Sequence, residues 1–336
     1  MKSKWLLLFL LIAALALVAC GAGAGSTQPE ATEELQKVRL GVGFIPNVQF
    51  APLYVAQSKG FYADEGLEVE IEYGYEDDFV ALAAQGKREF AVASGDQIIL
   101  ARSQGLPITY VMKWYERYPV ALVAPTSTGI SKPDDLPGKK VGLPLFGTNL
   151  VGWKALVYAN GLDETAITVE DVGFTQVAAL QQGVIDAAVV YIANEPNQLR
   201  SEGVEINTIE VSDYLDLISN GLVVGDQLIG ENPDLVGRMV RATLRGITDT
   251  MTNPDEAFAI ARQVIPEITD ETAPLQKKVL DASIELYQTD QIGVTSAQAW
   301  QDSVDFMVKV GLLDQPVEVD TLYTNQFVQT QTHTSP

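Results

Sequence analysis

The feature that most constrains this chain is a pattern it uses twice. In residues 82–92 a helical stretch stops at Gly86 and Glu89-Phe90-Ala91-Val92 follows; in residues 180–189 the helix stops at Gly183 and Asp186-Ala187-Ala188-Val189 follows. Glycine just past a helix supplies a left-handed backbone that other residues resist, and a short run of small apolar residues suits a central parallel strand. Earlier elements match as well. Residues 38–44 correspond to 140–143, and residues 67–73, which alternate apolar and acidic side chains as a half-exposed strand does, correspond to 167–174. Each copy reads β, α, β, α, β, so the expected class is α/β with two similar lobes.

From Pro233 onward the pattern turns helical. Pro254–Val264 and Ala273–Tyr287 place apolar residues three and four apart, and Thr295-Ser296-Ala297-Gln298 reads as a capping box ahead of Trp300, Val304 and Val308. These helices have too little strand of their own to cover, so the economical arrangement packs them on the first lobe. The expected boundaries are residues 37–124 and 223–328 for lobe one and 125–222 for lobe two, with one crossing near residues 123–126 and a return near 221–225.

The N-terminus addresses the compartment. Lys2 and Lys4 precede an almost wholly apolar run from Trp5 to Val18, which ends in Leu17-Val18-Ala19-Cys20. About fourteen apolar residues is short against the roughly twenty a membrane-spanning helix needs. Two cationic residues, a short apolar core and a small residue before cysteine are the signature of a lipoprotein signal peptide over residues 1–19, with the Cys20 thiol alkylated by diacylglycerol. Residues 20–36, rich in Gly, Ser and Pro, read as the lipidated end and a flexible tether, and residues 329–336 as a disordered tail. The expected location is extracytoplasmic, anchored to the cell membrane.

Composition then removes whole classes of chemistry. The formal charge is −22, and loss of Lys2 and Lys4 with the leader makes it −24, a surface that repels nucleic acid. With Cys20 lipidated, no thiol remains for a disulfide, a thiolate nucleophile or a zinc site. The only histidine, His333, lies in the polar tail. Triads built on histidine and histidine-based metal sites are therefore not available. No cofactor and no catalytic residue is expected; the composition favours a monomeric binder of a small molecule.

In open parallel sheets, loops beyond the carboxyl ends of the strands line the ligand crevice. In the first lobe these are residues 45–50, carrying Asn47 and Phe50, residues 75–78, carrying Asp78, and residues 94–97, carrying Ser94 and Asp96. The facing set is Thr148 and Asn149 in residues 146–149 and Tyr191, Asn194 and Glu195 in residues 191–195. Near the crossing, Trp114, Tyr115 and Tyr118 put three rings within five residues. Such rings either stack on a flat ligand or pack as ordinary strand residues, and the sequence leaves both open.

At these residues the chain resembles the substrate-binding lipoproteins of importers related to the thiamine-pyrimidine-precursor, riboflavin and alkanesulfonate families. The segments that carry the resemblance are Pro46-Asn47 with Ala51-Pro52-Leu53-Tyr54-Val55-Ala56, Lys59-Gly60-Phe61-Tyr62-Ala63-Asp64-Glu65-Gly66-Leu67, Asp135-Leu136-Pro137-Gly138-Lys139-Lys140-Val141-Gly142, and residues 186–195. The resemblance covers residues 38–310 and implies a type II periplasmic-binding-protein fold that delivers one ligand to a permease and ATPase. The pyrimidine-precursor pattern is Pro-Asn-x-x-His, and here Phe50 takes the last place. With Trp114 and Tyr115, that exchange implies a larger, more apolar planar ligand, riboflavin first. Its ring would stack on the aromatics, Asn47 or Asn149 would read the uracil-like edge, and Asp78, Asp96 or Glu195 would accept from ribityl hydroxyls. A formylaminopyrimidine or hydroxymethylpyrimidine type of ligand is the alternative. An alkanesulfonate or other small anion ranks third, because the loops hold at most Lys113 and Arg117 as cations. A related pyrimidine-synthesising enzyme family consumes an active-site histidine and carries a cysteine-rich motif, and this chain has neither.

Overall fold

The alternation of residues 67–73 becomes an edge strand with Leu67 and Val69 buried and Glu68 and Glu70 exposed, in a computed structural model that describes residues 34–328. That strand, β2 (Leu67–Gly74), lies parallel to β1 (Gln36–Gly43), which is parallel on its other side to β3 (Phe90–Ser94), a strand buried along its whole length. Two further strands, β4 (Ile108–Lys113) and β10 (Asn220–Gly225), complete a sheet ordered β2-β1-β3-β10-β4, in which β10 alone runs antiparallel to its neighbours.

The second sheet repeats this plan. β5 (Val120–Pro125), β6 (Lys140–Leu143), β7 (Thr168–Asp171), β8 (Ala187–Tyr191) and β9 (Ile206–Glu210) stand in the order β7-β6-β8-β5-β9. Here β5 is the antiparallel fourth strand. The two expected turning points behave alike: Gly86 and Gly183 each have φ of 67°, the left-handed region where a side chain is strained. Gly41 matters for a different reason. A Cβ there would sit 2.3 Å from the Phe79 ring, so only glycine lets helix α3 (Glu76–Ala84) lie flat on β1.

The crossings lie earlier than the expected residues 123–126 and 221–225. Val120–Pro125 belongs wholly to the second sheet, between β8 and β9, and Asn220–Gly225 wholly to the first. The chain crosses over between Lys113 and Val120 and returns between Glu210 and Asn220. Apolar content cannot tell one sheet from the other; the pairing partners do. The two connections are tied together: Asn220 O accepts from Trp114 N (2.9 Å) and Tyr115 N (3.1 Å), and Ser219 Oγ donates to Arg117 O (3.1 Å).

Helices α1 (Ala51–Ser58), α2 (Phe61–Asp64) and α4 (Gly95–Ser103) belong to the first lobe, and α5 (Gly147–Ala159), α6 (Gln176–Gln181) and α7 (Glu195–Ser201) to the second. After α8 (Asp226–Glu231) come α9 (Pro233–Thr252), α10 (Pro254–Val264), α11 (Ala273–Tyr287) and α12 (Ala297–Lys309). As expected, α9 and α10 pack on α1, and α11 on the turn at residues 48–50. Helix α12 does more: Phe306 meets Tyr158 of α5, with ring centroids 5.7 Å apart, so the last helix also touches the second lobe. The cap falls one residue later than the expected box: Ser296, not Thr295, accepts from Ala299 N, and Gln298 turns outward to Asp302. Cys20, His333, the leader and tail readings and the tether reading as far as residue 33 lie outside the described residues; Gln36, expected as the tether's last residue, is the first of β1. Among the described residues no helix is long and apolar enough to cross a membrane.

Candidate functional site

The parallel strands of both sheets end at one cavity of about 650 Å³ between the lobes, within the range typical of small-molecule sites. From the first lobe, Phe44 and Ile45 follow β1, Tyr75, Glu76 and Asp77 follow β2, and Gln97 lies in the first turn of α4 after β3. From the second, Phe146, Thr148 and Asn149 follow β6, Phe174 and Gln176 follow β7, Tyr191 ends β8, and Asn194 and Glu195 follow it. Trp114 and Tyr115 of one crossing and Asn220 at the end of the other close the floor.

Eight of the residues singled out from sequence therefore line it: Phe50, Trp114, Tyr115, Thr148, Asn149, Tyr191, Asn194 and Glu195. Four do not. Asn47 stands behind the wall, caps the following turn by accepting from Gln49 N (3.0 Å), and reaches Asn194 Oδ1 across the lobes (3.5 Å). Asp78 is exposed, because two residues along a helix is about 200° of rotation, and it is Glu76 at the head of α3 that faces inward. Ser94 and Asp96 are buried beneath the cavity. Ser94 Oγ donates to Glu76 Oε1 (2.7 Å) and lies 2.9 Å from Thr148 Oγ1, a direct bond between the lobes. Asp96 accepts from Gln97 Nε2 (2.7 Å) and Tyr118 OH (3.3 Å).

Trp114 is not a stacking plate. It is 2% exposed and walled by Phe50, Tyr115 and Tyr287 at centroid distances of 6.5, 6.1 and 6.1 Å. The rings with free faces are others. Tyr75 (67% exposed) stands on the first lobe, and Phe146 (47%) and Phe174 (61%), packed edge to face, stand on the second. Large exposed rings are ordinary when scattered, but these three border one cavity.

The polar lining is amide-rich. Gln49, Gln97, Asn149 and Gln176 are all more than nine-tenths buried and all border the cavity. The charged part is purely acidic. Burial, and then the neighbouring Asp96, push the Glu76 carboxyl up to about 7, although Ser94 N and Oγ both donate to it. Burial raises Glu195 to about 7 against a bond from Tyr191 N, and Asp96 to about 6. Among the described residues no lysine, arginine, histidine or cysteine lines the cavity, and none form a cluster able to hold a metal ion.

Gln49, Tyr75, Glu76, Gln97 and Phe146 lie in loops the sequence placed at the crevice but were not singled out there, and Phe174, Gln176 and Asn220 were missed altogether. A signal for one pair was present in the repeat: Glu76 and Gln176 are each the first residue of the helix that joins the second parallel strand of their copy to the third, α3 and α6.

Comparison with known proteins agrees with this architecture. Residues 47–257 match the family described as NMT1/THI5 like. The riboflavin-binding protein RibY of Chloroflexus aurantiacus is 41% identical, with 98% of each chain covered. The formylaminopyrimidine-binding protein of Halalkalibacterium halodurans is 28% identical over 94% of this chain and 97% of its own. A 4-amino-5-hydroxymethyl-2-methylpyrimidine phosphate synthase of Legionella pneumophila is 24% identical over 87% of this chain and 92% of its own. Among solved structures, the periplasmic aliphatic sulphonate binding protein SsuA of Escherichia coli superposes with a TM-score of 0.71 at 14% identity, over 85% of this chain and 91% of the other. The chain belongs to the NMT1/THI5-like family and has the two-lobed periplasmic-binding-protein fold.

Proposed function

We propose that this protein is the extracytoplasmic solute receptor of an ABC importer, tethered through lipid on Cys20, and that it closes its lobes on riboflavin and passes it unchanged to the permease. The observation that carries this reading is the lining itself: free aromatic faces on both lobes, four buried amides, and, among the described residues, no positive side chain. On this reading a tricyclic ring lies with Tyr75 on one side and Phe146 and Phe174 on the other, and the amides offer donors and acceptors to an imide edge and to hydroxyls. Buried polar atoms of a neutral ligand need such partners, since each one left unpaired costs about 1–3 kcal/mol. The identity with a riboflavin-binding protein over nearly the whole chain supports the same ligand.

Closure requires contacts with both lobes, because a ligand shifts a conformational equilibrium only by its differential affinity for the two states. Some relatives are synthases. Among the described residues the cavity wall offers neither histidine nor thiol for such chemistry, which favours binding alone. A pyrimidine precursor remains the second reading on the strength of the formylaminopyrimidine-binding relative. Sulfonates rank below both, since the wall lacks the cations an anion demands. Titration of purified protein with riboflavin, followed by quenching of flavin fluorescence, tests the assignment. Saturable quenching together with a raised melting temperature is expected; a thermal shift with formylaminopyrimidine and none with riboflavin would transfer the assignment to the second ligand.

A further inference from the structure

We infer that the cleft takes its heteroaromatic ligand only as the free alcohol and rejects the phosphate ester, with Glu76 on one lobe and Glu195 on the other as the discriminating residues. The inference rests on the reading above for the ring system, but its argument is about charge. Helix N-termini are the usual seats for phosphate, because free backbone N–H groups and the helix dipole attract an anion there. In this cleft the starts of three helices carry the protein's own carboxylates. Helix α3 opens with Glu76, Asp77 and Asp78, α4 carries Asp96 in its first turn, and α7 begins at Glu195.

Glu76, Asp77 and Glu195 border the cavity, and Asp96 lies directly under it, bonded to Gln97 of the wall. The helix starts that remain at the cavity, those of α1, α5 and α6, carry no charged side chain in their first turns. What the cleft offers instead suits neutral groups: Gln49 (5% exposed), Gln97 (7%), Asn149 (7%) and Gln176 (2%). Asn149 Oδ1 has no protein partner among the described residues. A phosphate ester would bring two negative charges into a closed space with carboxylates on both lobes and no cation to pair with, whereas a hydroxyl would find acceptors. The raised titration of Glu76 and Glu195 shows that this environment already opposes even the charges it has.

Paired titrations test this. Riboflavin is compared with riboflavin 5′-phosphate, and hydroxymethylpyrimidine with its phosphate, at pH 8, where both glutamates are mostly ionised, in about 0.1 M and about 0.5 M salt. Within whichever pair binds, the alcohol should be preferred at least a hundredfold, and the preference should survive high salt because buried charges are poorly screened. Glu76→Gln and Glu195→Gln, which keep a side-chain oxygen as acceptor, should each cut the preference at least threefold. If the pyrimidine pair binds and the flavin pair does not, with the same preference for alcohol, the ligand assignment fails and this inference stands. A phosphate ester bound within tenfold of its alcohol overturns it. So does a preference that collapses at high salt, or one that neither substitution moves.

Discussion

Phe174→Ala tests whether the exposed rings, rather than the buried tryptophan, grip the ligand. Phe174 is 61% exposed. With an aromatic side chain offering about 200 Å² in all, that leaves roughly 120 Å² open to the cleft. A flat ligand stacked on one face covers about half, roughly 60 Å², and at about 25 cal/mol per Å² contributes about 1.5 kcal/mol. Ring-on-ring geometry adds about 0.5–1.5 kcal/mol. The expected loss is therefore about 2–3 kcal/mol, or roughly 30- to 150-fold in Kd for riboflavin. Fluorescence titration measures it directly. The unliganded fold should barely notice, because Phe174 is mostly exposed and its ring meets Phe146 edge to face (5.7 Å, 86°) rather than filling a core. Losing that contact costs under about 1.5 kcal/mol and moves Tm by a few degrees at most. A Kd within about threefold of the unsubstituted protein, with Tm unmoved, would refute the argument that these faces hold the ring.

Trp114→Ala should behave in the opposite way. The side chain is 2% exposed and enclosed by three rings, so its loss leaves an internal cavity costing about 3–5 kcal/mol, read as a Tm drop on the order of 10 °C; a Tm unchanged within 2 °C would contradict the burial argument. Gly246→Ala should destabilise by several kcal/mol, because its Cβ would lie 2.2 Å from the Pro52 carbonyl oxygen where α9 crosses α1, and chemical denaturation measures this; a midpoint equal to that of the unsubstituted protein would show that the helices can part at no cost. Stability should fall as pH rises from 5 to 8. Glu76 and Glu195, at about 7, and Asp96, at about 6, hold protons more tightly folded than unfolded, so their contribution is complete below the ordinary carboxylate range near pH 4 and is lost through pH 6–7. Glu89, where burial is outweighed by its bonds from Arg39, acts in the reverse sense and only at lower pH. A Tm flat from pH 5 to 8 would remove the buried acids from the account.

Much of the fold was legible because its signals are local. Gly86 and Gly183 announce helix ends through a backbone conformation set by their own φ, and the apolar-acid alternation of β2 declares an edge strand within eight residues. Two such series side by side are enough for two lobes and for a site at their strand ends, where eight of the twelve residues picked for binding do line the cavity.

The rest depended on neighbours far along the chain. Whether Val120–Pro125 joins the first sheet or the second is decided by Val190 and Ile209, which pair with Ala121 and Leu122, and nothing within the strand encodes that choice. Asp78 and Glu76 look equally suited to a ligand in sequence, yet a rotation of two residues about one helix turns the first to solvent and the second to the cleft. Trp114 reads as a stacking ring until three others close around it, one of them Tyr287 from a helix that follows the entire second lobe. Residue type and short-range period thus determined which elements exist and where their ends gather. Which side chains point inward, and which of them still have a free face, was decided only when distant segments packed, because burial is a property of the assembled surfaces and not of any one residue.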